Sequence, residues 1–117
     1  MDNEIIKSIF LTDKEEGETY ELNFSRDSVR FAEQRGFILE DVLKFKATLV
    51  PELWFYAFRM HHKNKARNQT DALLDKIGGI TPQMLERLML LYQQAQLSNA
   101  VQSDEELAKN ETVTVEM

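Results

Sequence analysis

Residues 53–62 read LWFYAFRMHH. Four aromatic residues (Trp54, Phe55, Tyr56 and Phe58) crowd around Ala57, and two adjacent histidines close the stretch. On a helix at about 100° per residue, Leu53, Ala57, Trp54, Phe58 and Phe55 spread from about 0° to about 200°, and Met60 and Tyr56 fall near 340° and 300°. Only a narrow sector is polar, and it holds Glu52, Arg59 and Lys63. A surface helix needs an apolar stripe of little more than about 100°; this one is apolar over roughly 260°. Such a helix is either the centre of its domain or shared with another chain. The wheel assigns Leu53, Ala57 and Met60 to the core, and Trp54, Phe55 and Phe58 to self-association or partner contact.

Upstream, Pro51 sits where a first helical turn tolerates proline, with Thr48 as a cap, so the pattern predicts a helix from Pro51 to about Asn64. Before it, GFILEDVLKFKATL carries Ile38 or Leu39, Val42, Leu43 and Phe45 at helical spacing, which predicts another short helix. Ser25 is a natural N-cap, with Phe24 and Val29 placed to close over it as a hydrophobic staple. The helix it starts runs through VRFAEQR to Gly36 at the left-handed C′ position, with Phe37 folding back. Two apolar runs, Ile5–Thr12 and Thr19–Phe24, flank DKEEGE, and Tyr20, Leu22 and Phe24 alternate with Glu21 and Asn23. That period-2 pattern around Gly17 predicts a β-hairpin, which two strands cannot sustain without helices to lean on.

Downstream, Thr70 caps DALLDKI and Gly78-Gly79 ends it. Thr81-Pro82 opens a last, longest helix that ends near Ser98. Its core stripe is Met84, Leu85, Leu88, Leu91, Tyr92 and Ala95. Leu90 and Leu97 lie seven apart on the opposite side, with Met89 between the two stripes. A second apolar stripe on a face that should be wet points to self-association or a hydrophobic partner, and methionine suits a surface that adapts. The expected fold is therefore mainly α: four to five helices and an N-terminal hairpin (about 5–24) in one domain over residues 1–98. Residues 99–117 are expected to form a flexible acidic tail, since few large apolar side chains are present to offset ordering entropy.

The 117 residues suit one domain, and 43% hydrophobic with 29% charged residues is ordinary for a soluble globular chain. Of the net charge of −6, a balance of −4 falls on residues 104–117, where Asp104, Glu105, Glu106, Glu111 and Glu116 face only Lys109. An acidic chain is a poor default binder of phosphate backbones. The one basic cluster, Arg59, Lys63, Lys65 and Arg67, reads more simply as a solvated helix end and loop. With no cysteine there is no disulfide, thiolate nucleophile or zinc–thiolate site. The N-terminus does not read as a signal peptide and no apolar run approaches a membrane span, so a reducing cytoplasm is expected.

His61 and His62 point about 100° apart on a helix, whereas zinc helices pair histidines at i, i+4, so no metal site is expected. No nucleophile elbow or phosphate loop is present, and neither an enzyme nor a cofactor is expected. TDALLDKIGGITPQMLERL has the outline of a helix-turn-helix around Gly78-Gly79, which makes a small DNA-binding regulator the second functional reading. Its second helix opens with Gln83, Glu86 and Arg87 amid Met and Leu, a composition built for packing.

FSRDSVRFAEQRGF, followed by FYAFRMHHKNKARNQTDALLDKIGG and a Leu-rich helix containing LLY, resembles the small tail assembly chaperones of long-tailed bacteriophages. The similarity covers roughly Tyr20 to Leu97. It implies a mostly helical, non-enzymatic protein that coats hydrophobic helical segments of the tape-measure protein in the host cytoplasm. The resemblance further implies self-association and absence from the mature virion. Under that reading Trp54, Phe55, Phe58, Met89, Leu90 and Leu97 are the partner or self-association candidates.

Overall fold

A computed structural model describes residues 5–100 of the chain. The acidic segment expected to be a tail lies, from residue 101 onward, outside the described residues. Strands β1 (Ile9–Asp13) and β2 (Glu18–Leu22) pair antiparallel, with Ile9 opposite Leu22 and Asp13 opposite Glu18. Tyr20 and Leu22 are buried while Phe10 and Thr12 face outward, the alternation that a one-sided sheet demands. The connecting turn is built by Asp13, whose carboxylate accepts the Glu15 and Glu16 N–H groups at 3.1 and 3.3 Å. Gly17, at φ +71°, takes the left-handed position and donates to the Asp13 carbonyl at 2.8 Å.

Helix α1 (Arg26–Gln34) has both expected ends. Ser25 and Ser28 form a reciprocal capping box, with Ser28 N–H to Ser25 Oγ at 3.1 Å and Ser25 N–H to Ser28 Oγ at 2.7 Å. At the other end Gly36 N–H bonds the Glu33 carbonyl and Phe37 N–H bonds the Ala32 carbonyl, both at 3.0 Å, a Schellman closure. Phe24, Val29 and Phe37 are all buried in one core.

Beyond it the structure departs from the pattern. Residues 38–45 form no α-helix but a 3-10 turn at Leu39–Asp41 and further turns, with no side chain capping at Ile38. Only Leu39 and Val42 reach the core, and Ile38, Leu43 and Phe45 are left exposed. Helix α2 (Lys46–Phe58) starts before Pro51 rather than at it. The proline removes one helical bond, leaving the Ala47 carbonyl without its i+4 donor, and the surrounding packing holds the helix through that gap. The helix stops at Phe58, short of Asn64, because the next turn is engaged elsewhere: the His62 ring accepts the Glu21 N–H of β2 at 2.9 Å. Met60, expected in the core, is therefore 44% exposed.

Helix α3 (Arg67–Ile77) also begins earlier than expected, capped by the Gln69 side chain on the Ala66 N–H at 2.8 Å. Thr70 is not a cap but a buried helical residue. Its hydroxyl donates to the Arg67 carbonyl at 3.0 Å, and its own carbonyl accepts the Trp54 indole N–H at 2.8 Å. After the left-handed Gly78 and Gly79, Thr81 caps α4 (Pro82–Ala100) by accepting the Met84 N–H at 3.1 Å. From α3, Lys76 reaches back to the hairpin turn, donating to both Asp13 carboxylate oxygens at 2.9–3.0 Å and lying 2.8 Å from Glu15.

Helix α2 is the hub, in contact with α1, α3, α4 and β2. Its apolar wrap is thus mostly internal. Edge-on ring contacts link Trp54 to Phe58, Phe58 to Tyr20, and Tyr56 to Phe37 at 5.2–5.5 Å. One core group breaks the pattern of satisfied polar atoms: the buried Tyr92 hydroxyl has no hydrogen-bond partner among the described residues. Burial, followed by the charge of Glu33, pushes its ionisation well above the ordinary tyrosine range. Leaving a buried hydroxyl unpaired costs about 1–3 kcal/mol. Tyr92→Phe is accordingly expected to raise stability by about 1 kcal/mol in urea unfolding, while Tyr56→Phe, which loses a bond to Glu52 at 3.0 Å, is expected to lower it.

Candidate functional site: an open apolar groove

The first half of α2, the Gly79–Pro82 connection and the first half of α4 contribute residues to one surface depression. The result is an open groove of about 960 Å³. Val50, Leu74, Ile80, Leu85 and Met89 are part of its apolar lining, and Leu43 and Leu90 rim it at 57% and 41% exposure. Among the described residues Lys46 and Glu86 are the only charged ones lining it. Ala47, small and exposed, lines it from α2. On the other side of Leu90 lies a second recess of about 660 Å³, lined by Ile5, Ile6 and Arg87 among others. Leu90 is thus a ridge between two hollows.

The exposed loop that replaces the expected helix supplies part of this surface. Ile38, Leu43 and Phe45 have the spacing of apolar positions on a helix, yet all three are exposed here, and Lys44 and Lys46 are the sequence signal that this side of the segment faces water. Of the six partner candidates, the structure places Trp54 and Phe58 in the core at 0% and 1% exposure, so they offer no surface in the folded chain. Phe55 is half-buried against Phe31 and Tyr56. Met89 is half-buried and lines the groove, Leu90 rims it, and Leu97 is exposed farther along α4 without bordering either hollow. Of the expected core, Leu53, Ala57, Leu88 and Leu91 are buried.

The histidines and basic residues are engaged structurally. His61 Nε2 lies 3.3 Å from the Glu21 carboxylate. His62 stands edge-on to Tyr20 and Phe58, with ring centroids 5.1 and 6.2 Å away. Arg59 lies over the Phe31 ring at 3.7 Å, Lys65 over Tyr20 at 4.9 Å, and Arg67 pairs with Asp71 at 3.0 Å. Among the described residues no three His, Asp or Glu side chains are grouped to hold a metal ion, and no helix is long and apolar enough to cross a membrane.

His62 gives the fold a pH dependence. Burial, then the charges of His61 and Lys65, hold its pKa below the ordinary histidine value of about 6.5. The unfolded chain therefore binds the proton more readily. The stability that His62 contributes is complete above about pH 6.5 and is lost as pH falls through its lower folded value. The chemistry agrees: a protonated Nε2 is a donor facing the Glu21 N–H donor. The melting midpoint is expected to fall between about pH 7 and pH 5, with a shallower slope in His62→Gln.

In class, this is a small helical domain with a β-hairpin, whose most distinctive surface is an apolar groove. The chain belongs to the family described as Domain of unknown function (DUF5055), which matches residues 5–117. No curated protein and no solved structure matches it.

Proposed function

We propose that this chain is a non-enzymatic tail assembly chaperone of a long-tailed bacteriophage, which binds and solubilises hydrophobic helical segments of the tape-measure protein in the host cytoplasm and leaves before the virion is complete. The observation that carries the reading is the groove: open, mostly apolar and rimmed by the exposed Leu43 and Leu90. Its α4 wall runs from Gln83 to Gln93, about 15 Å or three helical turns. That length suits an amphipathic helix laid in with anchors at i, i+3 or i+4, and i+7. A long apolar helical chain waiting for assembly partners aggregates unless such faces are covered. The Leu90 ridge and exposed Leu97 also offer a surface for self-association.

The test is co-expression of a tape-measure segment with and without this chain. The segment is expected in the soluble fraction only when the chain is present, and to co-purify with it. Finished virions are expected to lack the chain by mass spectrometry. A segment that stays insoluble with the chain present, or virions that retain the chain in stoichiometric amount, would overturn the reading.

A further inference from the structure

Among the described residues the sheet has two strands, and its two outer edges are treated differently. On β2 the outward N–H groups of Glu21 and Asn23 are capped by His62 Nε2 at 2.9 Å and the Ala57 carbonyl at 3.1 Å. Since Glu21 points its N–H outward, Phe10–Glu21 is a non-hydrogen-bonded pair, and Ser8, Phe10 and Thr12 direct their main-chain groups away from β2. Among the described residues nothing bonds those groups, and Phe10 is 65% exposed. The open stretch is bounded on both sides. The Gln94 side chain takes up the Ile6 N–H and carbonyl at 2.7 and 3.3 Å, and the hairpin turn begins at Lys14. Phe10 stands at the centre of what is left, and an open edge of this kind is a template for another strand.

We infer that two copies of this chain pair through the outer edges of β1, antiparallel about a two-fold axis at Phe10. Self-complementarity selects both the occupant and the register. With Phe10 opposite Phe10 of the second copy, Ser8 falls opposite Thr12, Ile9 opposite Leu11, and Lys7 opposite Asp13. Aromatic meets aromatic, hydroxyl meets hydroxyl, apolar meets apolar and base meets acid, each a favourable cross-strand combination. Asp13 and Glu15 share Lys76 at 2.9 and 2.8 Å, two acids on one base, which leaves a negative charge for Lys7 to meet. Sliding the strands by two residues sets Leu11 against Lys7 in one direction and Ile9 against Asp13 in the other, and either slip separates the two phenylalanines. The core-side face gains as well. Ile9 and Leu11 are half-buried, and beside Leu11 a recess of about 250 Å³ reaches Leu73 and the exposed Ile77. Ile9 of the second copy, opposite Leu11 on that face, covers the recess. The pairing also closes on itself: each copy spends its β1 edge, the β2 edges are already capped, and the assembly stops at two chains. A continuous four-stranded sheet replaces a two-stranded one that is marginal alone. This inference does not depend on the proposed function.

The chain has no cysteine, so single cysteines introduced into it report the register directly. In this pairing the two Phe10 Cα atoms lie about 5.5 Å apart, within disulfide reach. Thr12 faces Ser8, which leaves the two Thr12 Cα atoms about 13 Å apart along the strands. Phe10→Cys is therefore expected to give a disulfide-linked dimer under mild oxidation at least about tenfold faster than Thr12→Cys. Sedimentation of the unmodified full chain is expected to show a monomer–dimer equilibrium between about 10 µM and 1 mM, the range suited to a small interface. Phe10→Lys sets like charges opposite each other and is expected to weaken the dimer at least about tenfold, at unchanged far-ultraviolet circular dichroism because the position is exposed in the monomer. Lys7→Glu is expected to weaken it less, and the loss to shrink with added salt. A chain that stays monomeric throughout that concentration range would overturn the inference, as would Thr12→Cys cross-linking as fast as Phe10→Cys. A dimer that survives Phe10→Lys but is lost in Leu90→Glu would place the contact on α4 and overturn it too.

Discussion

Trp54→Ala is expected to destabilise the protein by about 3–5 kcal/mol, most of the margin of a domain whose total stability is of the order of 5–15 kcal/mol. The side chain is fully buried on the hub helix. Its ring packs edge-on to Phe58 at 5.2 Å, and its N–H satisfies the Thr70 carbonyl across to α3 at 2.8 Å. Alanine at this position removes the ring, opens a cavity that α2 and α3 cannot close without moving, and takes from the Thr70 carbonyl the hydrogen bond that ties α3 to α2. Trp54→Phe separates these effects. It retains most of the volume and loses the hydrogen bond, so a cost nearer 1–3 kcal/mol is expected. Phe55→Ala, one place along but half-buried, is expected to cost less than either. Urea unfolding followed by circular dichroism ranks the three. A Trp54→Ala cost no larger than that of Phe55→Ala would contradict the placement of Trp54 at the centre of the fold.

The same ranking explains why the sequence was ambiguous about this helix. Apolar residues over about 260° of a wheel show that surface must be covered, and the wheel does not say by which chain. Here the covering is done by α1, α3, α4 and β2 together. The hairpin and the ends of α1 were legible because their determinants are local: Gly17, the Ser25–Ser28 box and Gly36 act over a single turn. Where long-range contacts decide, the pattern misleads. Leu43 and Phe45 have helical spacing but no core to face, and Thr70 has the chemistry of a cap but lies buried inside α3, its carbonyl bonded to Trp54. Pro51 marks a helix start in sequence, yet packing extends the helix through it. Half the groove was readable, since Leu90 and Met89 stand out on α4. Its other wall, at Ala47 and Val50, emerges only once α2 starts early enough to place them opposite.

Leu90→Glu is expected to weaken binding of a purified tape-measure helix by about 30- to 1,000-fold while leaving the melting midpoint within a few degrees. Leu90 is 41% exposed, so the folded chain loses little by the change. In a complex the residue would stand at the ridge of the groove, where a client side chain must exclude water from it. A carboxylate there has to be desolvated without a partner, and the loss of an apolar contact that becomes buried on binding costs about 2–4 kcal/mol, which sets the fold-change. Ala47→Trp tests the same site by a different physical route. The position is exposed on the opposite wall, so the indole is accommodated by the fold but occupies the space the client helix needs. Leu97→Glu is the control, because Leu97 is 62% exposed on the same helix but borders neither hollow. Fluorescence anisotropy of a labelled client helix is expected to show large losses for the first two variants and less than about threefold for the third. Equal losses for Leu90→Glu and Leu97→Glu, with Ala47→Trp unaffected, would move the client from the groove to the outer stripe of α4. That outcome would leave the groove without the role its shape suggests, since a helix lying along Leu90 and Leu97 has no need of the α2 wall.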